Sequence, residues 1–208
     1  MKLKVCGLTS IDQVEELIQM KLDFLGFIFY SSSPRYALQT LDLHTISAFS
    51  HEGKTGVFVN ETLEGILQIV RKANLHYIQL HGDETSAFCE ALRTRLSESV
   101  KIIKVLRIGS CTDSIQQQIW DANPYVQYFL FDTDSSHYGG TGTSFDWTLL
   151  NELDIPKPYF LSGGISPEVV PSVSTLVLSP FALDINSKFE TSPGIKDLDK
   201  IRLFYEKL

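Results

Sequence analysis

A handful of short stretches hold the side chains able to do chemistry in this chain. "KVCGLTS" (4–10) places a thiol, Cys6, at the last residue of a short apolar run. In mid-strand a cysteine passes as a small hydrophobe. At a strand's carboxyl end a ligand can reach it, and its thiolate can act as a base. Cys6 is core filler or a working base according to what lies around it. Anion chemistry is written into "SGGIS" (162–166) and "ALDINSKFE" (182–190). Gly163 and Gly164 let backbone N–H groups come close to a phosphate, and Asn186 and Ser187 begin a short helical turn with free N–H groups. One Gly-Gly pair is ordinarily a plain turn, but two such segments on adjacent strands point to a phosphate. Charged and titratable groups come from Arg35 in "YSSSPRY", His81 in "HGDE", Arg107, and Asp132 and the glycines of "DTDSSHYGGTGTSFDW". Within the last, "HYGGTG" (137–142) reads as a mobile lid. Histidines and acidic residues lack the spacing of a metal-ligand set, and no cofactor is expected.

These stretches need a frame that gathers them, and the apolar pattern supplies one. Runs expected as strands are 3–5, 24–29, 56–59, 77–80, 102–106, 128–131, 159–161 and 175–179. Near-continuous apolar runs suit strands buried on both faces of a parallel sheet. Between them Val14, Leu17 and Ile18 form a helical stripe, as do Leu63, Ile66, Leu67 and Val70, then Phe88, Leu92 and Leu96. A final stripe joins Leu198, Ile201, Phe204 and Leu208. Thr9 or Ser10, Asn60, and Asp83 or Thr85 stand where helix N-caps are wanted. Eight strands alternating with helix-sized gaps fit a lean (β/α)8 barrel, and an open doubly wound sheet uses the same alternation. The barrel demands chemistry at the carboxyl ends of the strands, which is where every stretch above falls. The expected architecture is therefore α/β, a single barrel domain over 1–208 with a shortened seventh helix, because "SGGISPEVVPSVS" leaves room for a turn or two that Pro171 would end.

Bulk properties exclude several classes. With 208 residues, 43% hydrophobic and 21% charged, the chain can bury one sizeable core. A net charge of −7 argues against a nucleic-acid partner, which needs a basic face. No apolar run reaches the roughly 18–20 residues that cross a bilayer, and "MKLKVCGLTS" lacks the apolar stretch of a signal peptide. Three cysteines (Cys6, Cys89, Cys111) without C-x-x-C spacing read as reduced thiols. The expectation is a cytoplasmic protein, monomer or homodimer, acting on a small phosphorylated molecule, with no membrane partner.

Taken in order, "KVCGLT", "GFIFYSSSPRY", "GVFVN", "QLHGDE", "FDTDSSHYGGTGTSFDW", "FLSGGISPE" and "LDINSKFETSPGIKD" resemble the phosphoribosylanthranilate isomerase family. The resemblance runs from residue 4 to residue 197 and implies a TIM barrel of tryptophan biosynthesis. It implies an Amadori rearrangement of N-(5-phosphoribosyl)anthranilate to 1-(2-carboxyphenylamino)-1-deoxyribulose 5-phosphate. By the same resemblance Asp132 is the general acid that opens the furanose, Cys6 the base that takes the C2′ proton, and Arg35 the partner of the anthranilate carboxylate. Gly163, Gly164, Asn186 and Ser187 would hold the phosphate, with His81 and Asp184 lining the pocket. Lys188 departs from the pattern where a glycine is expected. An acid working near neutrality needs a raised pKa, and a thiolate base needs positive charge or a donor nearby. Two other readings are an epimerase-like phosphosugar barrel, whose metal-binding His and Asp pattern is not seen here, and a non-catalytic barrel binding a phosphorylated metabolite. The latter has no reason to keep both Cys6 and Asp132.

Overall fold

A computed structural model describes residues 1–109, 113–133 and 145–208. Eight parallel strands close on themselves in chain order: β1 (Lys2–Val5), β2 (Phe24–Ile28), β3 (Lys54–Phe58), β4 (Tyr77–Leu80), β5 (Lys101–Ile108), β6 (Tyr128–Thr133), β7 (Tyr159–Leu161) and β8 (Ala182–Ile185). The expected (β/α)8 barrel is the fold. Closure is made by β1, which pairs β2 with Lys4 opposite Phe24 and pairs β8 with Lys4 opposite Asp184.

Alternation along each strand splits the apolar residues into two cores. In β6, Phe129 and Phe131 join the large outer core between sheet and helices, and Leu130 faces the barrel axis. Phe24, Ile103, Val105, Leu130, Phe160 and Ala182 fill the barrel interior, with Tyr77, Tyr128 and Phe181 packed against them. Those rings meet mostly edge-on or tilted, Phe24 lying 5.1 Å from both Tyr77 and Phe160, and they floor the amino-terminal end of the barrel.

Outside run α1 (Ile11–Gln19), α2 (Leu43–Ala48), α3 (Leu63–Ala73), α4 (Ser86–Arg95), α5 (Asp113–Ala122) and α6 (Leu198–Tyr205). Each anticipated stripe faces inward: Val14 and Leu17 on α1, Ile66, Leu67 and Val70 on α3, Leu92 on α4, Ile201 and Phe204 on α6. Thr85 caps α4 as expected, its hydroxyl accepting from Phe88 N at 3.3 Å. Ser10 stands at the N-cap of α1 without a side-chain bond. Asn60 does not cap α3; it bends the chain at φ 51°, and Thr62 caps instead, accepting from Gly65 N at 3.1 Å.

The seventh connection is short, as anticipated, a 3-10 turn over Val170–Thr175, but Pro171 stands in its first turn and does not end it. The sixth connection also ends in a 3-10 turn, Trp147–Glu152. The expected eighth strand is wrong. Residues 175–179 form the end of that turn and an exposed loop, with Val177 80% exposed, and the true β8 begins at Ala182. "ALDI" is thus the strand, where the sequence reading placed it beyond one. Strands β5 and β6 run two residues past their expected ends, so Arg107 and Asp132 sit within strands, opposite one another in register.

Candidate active site

The carboxyl-terminal mouth collects most of the side chains singled out from the sequence, and adds partners that were not. Lys4, two residues before Cys6 on the inner face of β1, is fully buried. Its Nζ donates to both carboxylate oxygens of Asp184 on β8, at 2.9 and 3.0 Å. Burial opposes the ammonium's charge, but the charges of Asp184 and Cys6 more than offset it and hold the Lys4 pKa above its ordinary value. Cys6 is 5% exposed. Burial pushes its thiol up, against the pull of Lys4 and of Lys196, so the unliganded protein holds a neutral thiol beside a cation. Gly26 on β2 explains how the two fit: a Cβ there would lie 3.1 Å from Cys6 Sγ and 3.2 Å from Lys4 Nζ.

Across the mouth stands Asp132. Burial raises its carboxyl to about 6, and Asp184 adds to the effect, against the backbone N–H of Thr133 and the Ser162 hydroxyl, which favour the anion. The Thr133 N–H donates to Asp132 Oδ1 at 2.8 Å. Gly163, at φ +81°, keeps that corner open, since a Cβ would meet Thr133 Oγ1 at 2.3 Å and Asp132 Oδ1 at 3.0 Å. His81 Nε2 lies 3.6 Å from Asp132 Oδ2. Burial, with Lys4, Arg107 and Lys104 adding to it, pushes His81 down to about 3, so its ring is neutral. Its Nδ1 lies 3.1 Å from Nε2 of buried Gln79, two residues earlier on the same strand face. With Gln79 donating there, the proton of His81 sits on Nε2 and faces Asp132.

A third group hangs over β1. Arg35 donates through Nε to Glu190 Oε1 at 2.9 Å and through Nη2 to Glu190 Oε2 at 2.7 Å. Glu190 opens β9 (Glu190–Ser192), which forms an antiparallel hairpin with β10 (Ile195–Lys196). Lys196 Nζ reaches back to Glu190 Oε1 at 2.7 Å and to Asn186 Oδ1 at 2.8 Å. Burial works against the charge of Glu190, yet Arg35 and Lys196 outweigh it and hold its carboxyl below the usual range. Arg35 thus stands pre-oriented, and Asn186 is tied to the same hairpin.

Gly163 and Gly164 both take positive φ (81° and 72°) just past the end of β7, and its neighbour β8 leads into the 3-10 turn Ser187–Phe189. Lys188, in the glycine's place, needs no left-handed backbone and is exposed, with Lys200 Nζ donating to its carbonyl. Arg107 pairs with Asp83. Glu84 braces the loops after β3 and β4: it accepts from Asn60 N at 2.9 Å and from Lys104 Nζ at 3.0 Å. Cys89 is buried in the outer core, away from this chemistry. Cys111 and the expected lid at 137–142 fall outside the described residues. Among the described residues no group of three His, Cys, Asp or Glu side chains is arranged to hold a metal ion, and no helix is long and apolar enough to cross a membrane.

Lys4, Gly26, Gln79, Glu190 and Lys196 were not anticipated. For two of them the signal was present: Lys4 and Gln79 are polar residues inside apolar runs, each two positions before a residue already singled out.

The arrangement suits proton transfer on a small anionic molecule, and comparison with known proteins identifies the family. A family model described as N-(5'phosphoribosyl)anthranilate (PRA) isomerase matches residues 3–207. An N-(5'-phosphoribosyl)anthranilate isomerase from Parabacteroides distasonis is 36% identical over 211 residues, spanning 100% of this chain and 93% of that protein. The crystal structure of phosphoribosyl anthranilate isomerase from Thermotoga maritima superposes with a TM-score of 0.81 at 31% identity, covering 99% of this chain and 97% of that one. A phosphoribosyl anthranilate isomerase in complex with reduced 1-(O-carboxyphenylamino)-1-deoxyribulose 5-phosphate gives 0.75 at 29% identity, with 99% and 97% covered.

Proposed function

Since the chain belongs to the N-(5'-phosphoribosyl)anthranilate isomerase family, we propose that it converts N-(5-phosphoribosyl)anthranilate to the deoxyribulose phosphate by general acid and base catalysis at the barrel mouth. The observation that carries this reading is the pairing of a carboxyl raised to about 6, Asp132, with a thiol set beside an ammonium, Cys6 beside Lys4. Asp132 gives its proton to the furanose oxygen as the bond from that oxygen to C1′ breaks, leaving an open-chain iminium. A carboxyl of ordinary pKa would be protonated far more rarely near neutrality and would be a correspondingly poorer donor. Cys6, once its thiol has ionised against the Lys4 ammonium, removes the C2′ proton as thiolate, and the electron pair moves to the iminium nitrogen to give an enolamine. Tautomerisation then places the carbonyl at C2′. Every step is a proton transfer, and none is assigned to a metal or other cofactor.

Arg35 is the anchor for the anthranilate carboxylate, a role suited to a planar guanidinium already oriented by Glu190. Phosphate falls to the amides of Gly163 and Gly164 and to the segment at Asn186 and Ser187, which adjoin on β7 and β8. Neutral His81, its Nε2–H toward Asp132, serves to fix the orientation of the acid, whose protonated form burial favours. The place of action is the cytoplasm, in keeping with buried, unbridged Cys6 and Cys89. Mixing purified protein with freshly prepared phosphoribosylanthranilate and following the fall of its fluorescence tests the reading. Loss of signal at the uncatalysed rate would rule it out.

A further inference from the structure

Lys4 is fully buried beneath the site and has two anions for neighbours: the carboxylate of Asp184, and the sulfur of Cys6 once that thiol ionises. Burying an ammonium in a barrel costs several kcal/mol unless it is compensated. If its purpose were to clip β1 to β8, the backbone ladder already does so at four registered positions. An apolar pair would then serve at least as well. We propose that Lys4 is a positioning residue whose charge is divided between Asp184 and the Cys6 sulfur, Asp184 setting how much of it the thiolate can use.

Geometry supports the division. The residue facing both groups from β2 is Gly26, and the point where its Cβ would stand is 3.1 Å from the sulfur and 3.2 Å from the ammonium. Glycine there leaves thiol and ammonium sharing one small space, where a larger side chain would part them. The charges acting on the thiol pull in opposite directions: Lys4 and Lys196 favour the thiolate, and Asp184 disfavours it. Lys196, on β10, is largely committed to Glu190, which also holds Arg35. His81, just past β4, is neutral, and Asp132 on β6 faces it from across the mouth. Among the charged groups packed about Cys6, Lys4 is the cation on its own strand face, and its other partner is Asp184. The inference rests on Cys6 being the working base, but its test does not.

Alkylation of Cys6 by iodoacetamide reports the thiolate directly, sulfur displacing iodide. It is followed by peptide mass from neutral to alkaline pH in a Cys89→Ala, Cys111→Ala background. Lys4→Met should slow alkylation near neutrality about tenfold or more and move its profile to higher pH. Asp184→Asn should do the reverse, speeding it about threefold or more. The double variant Lys4→Met, Asp184→Asn leaves no unpaired buried charge, so it remains foldable if either single variant is not, and it should react more slowly than wild type but no more slowly than Lys4→Met. A structural clip predicts no such opposition: unchanged or slower alkylation in Asp184→Asn, or wild-type rates in the double variant, would overturn the proposal. Turnover of Cys6→Ser is measured alongside. If that variant stays active, the base assignment falls while the alkylation pattern stands on its own. If it is inactive and the opposed shifts are missing, the base stands and the role of Lys4 falls.

Discussion

The two ends of the barrel are built from the same eight strands, yet they solve the burial problem in opposite ways. At the amino-terminal end Phe24, Tyr77, Tyr128, Phe160 and Phe181 close the interior with ring-to-ring contacts, and the ammonium of Lys2 lies over Phe181, 4.7 Å from its centroid. Lys54, buried at the foot of β3, donates to the carbonyls of Ile46 and Ser47 at the end of α2. These interactions stabilise and do nothing else. At the mouth the interior is charged: Lys4 with Asp184, Arg35 and Lys196 with Glu190, Asp132 beside His81. Here burial is used to shift ionisation. The floor holds the strands in register while the mouth moves the ionisation of its groups, Asp132 upward and His81 downward.

The sharpest break between the ends should come from one substitution at each. Cys6→Ser is expected to lower turnover about 10³-fold or more, the upper part of the range for a general base, with unfolding nearly unchanged. Phe160→Ala on the floor should cost about 3–5 kcal/mol of stability. In that variant kcat per folded molecule should stay close to wild type, measured by urea unfolding beside the fluorescence assay. A stable but inactive Phe160→Ala protein would erase the distinction.

Asp132→Asn sharpens it, because function and stability should move in opposite directions. The folded pKa of about 6 lies above the value near 4 of an unfolded aspartate, so folding takes up a proton. That contribution is fully present below about pH 4 and is lost as pH rises through 6. The amide cannot ionise, so the variant should match wild type in acid and exceed it at neutral pH by up to about 3 kcal/mol, read by unfolding across pH. Activity should fall about 10²-fold or more. Equal stability at both ends of the range would mean that the mouth does not strain its carboxyl.

Smaller effects test the mouth's own divisions. Arg35→Ala should weaken binding by about 1.5–3 kcal/mol for ligands carrying the anthranilate carboxylate. Ribose 5-phosphate should be affected less, and titration calorimetry with both ligands distinguishes this from a phosphate role. Smallest of all should be Lys188→Gly. Its side chain is exposed and its backbone unstrained, so stability should stay within about 0.5 kcal/mol and KM near wild type.

The same contrast explains what could be read from the sequence. Apolar periodicity located seven strands and four of the six helices found among the described residues, because those elements bury one continuous face in the outer core. The eighth strand was misplaced because "TLVLS" is more apolar than "ALDI", and an aspartate in a buried strand counts against it. That aspartate is buried because Lys4, 180 residues away in the chain, neutralises it. Nothing local announces such a pair. Cys6, Arg35, His81 and Asp132 were legible because they end strands or stand in polar loops. Glu190 and Lys196, which hold Arg35 and Asn186 in place, lie in a hairpin whose strands are three and two residues long, too short to leave a pattern.

The aromatic floor has a consequence for traffic. Phe24, Tyr77, Tyr128, Phe160 and Phe181 pack across the amino-terminal end, so a molecule that enters by the mouth leaves by it. Substrate and product cannot pass through in file. A released product returning to the site competes for the same entrance and the same contacts, so inhibition by product is competitive in form. Any neighbouring enzyme that hands on a labile intermediate, or collects the next one, has to do so at the mouth, and must withdraw before the other can approach.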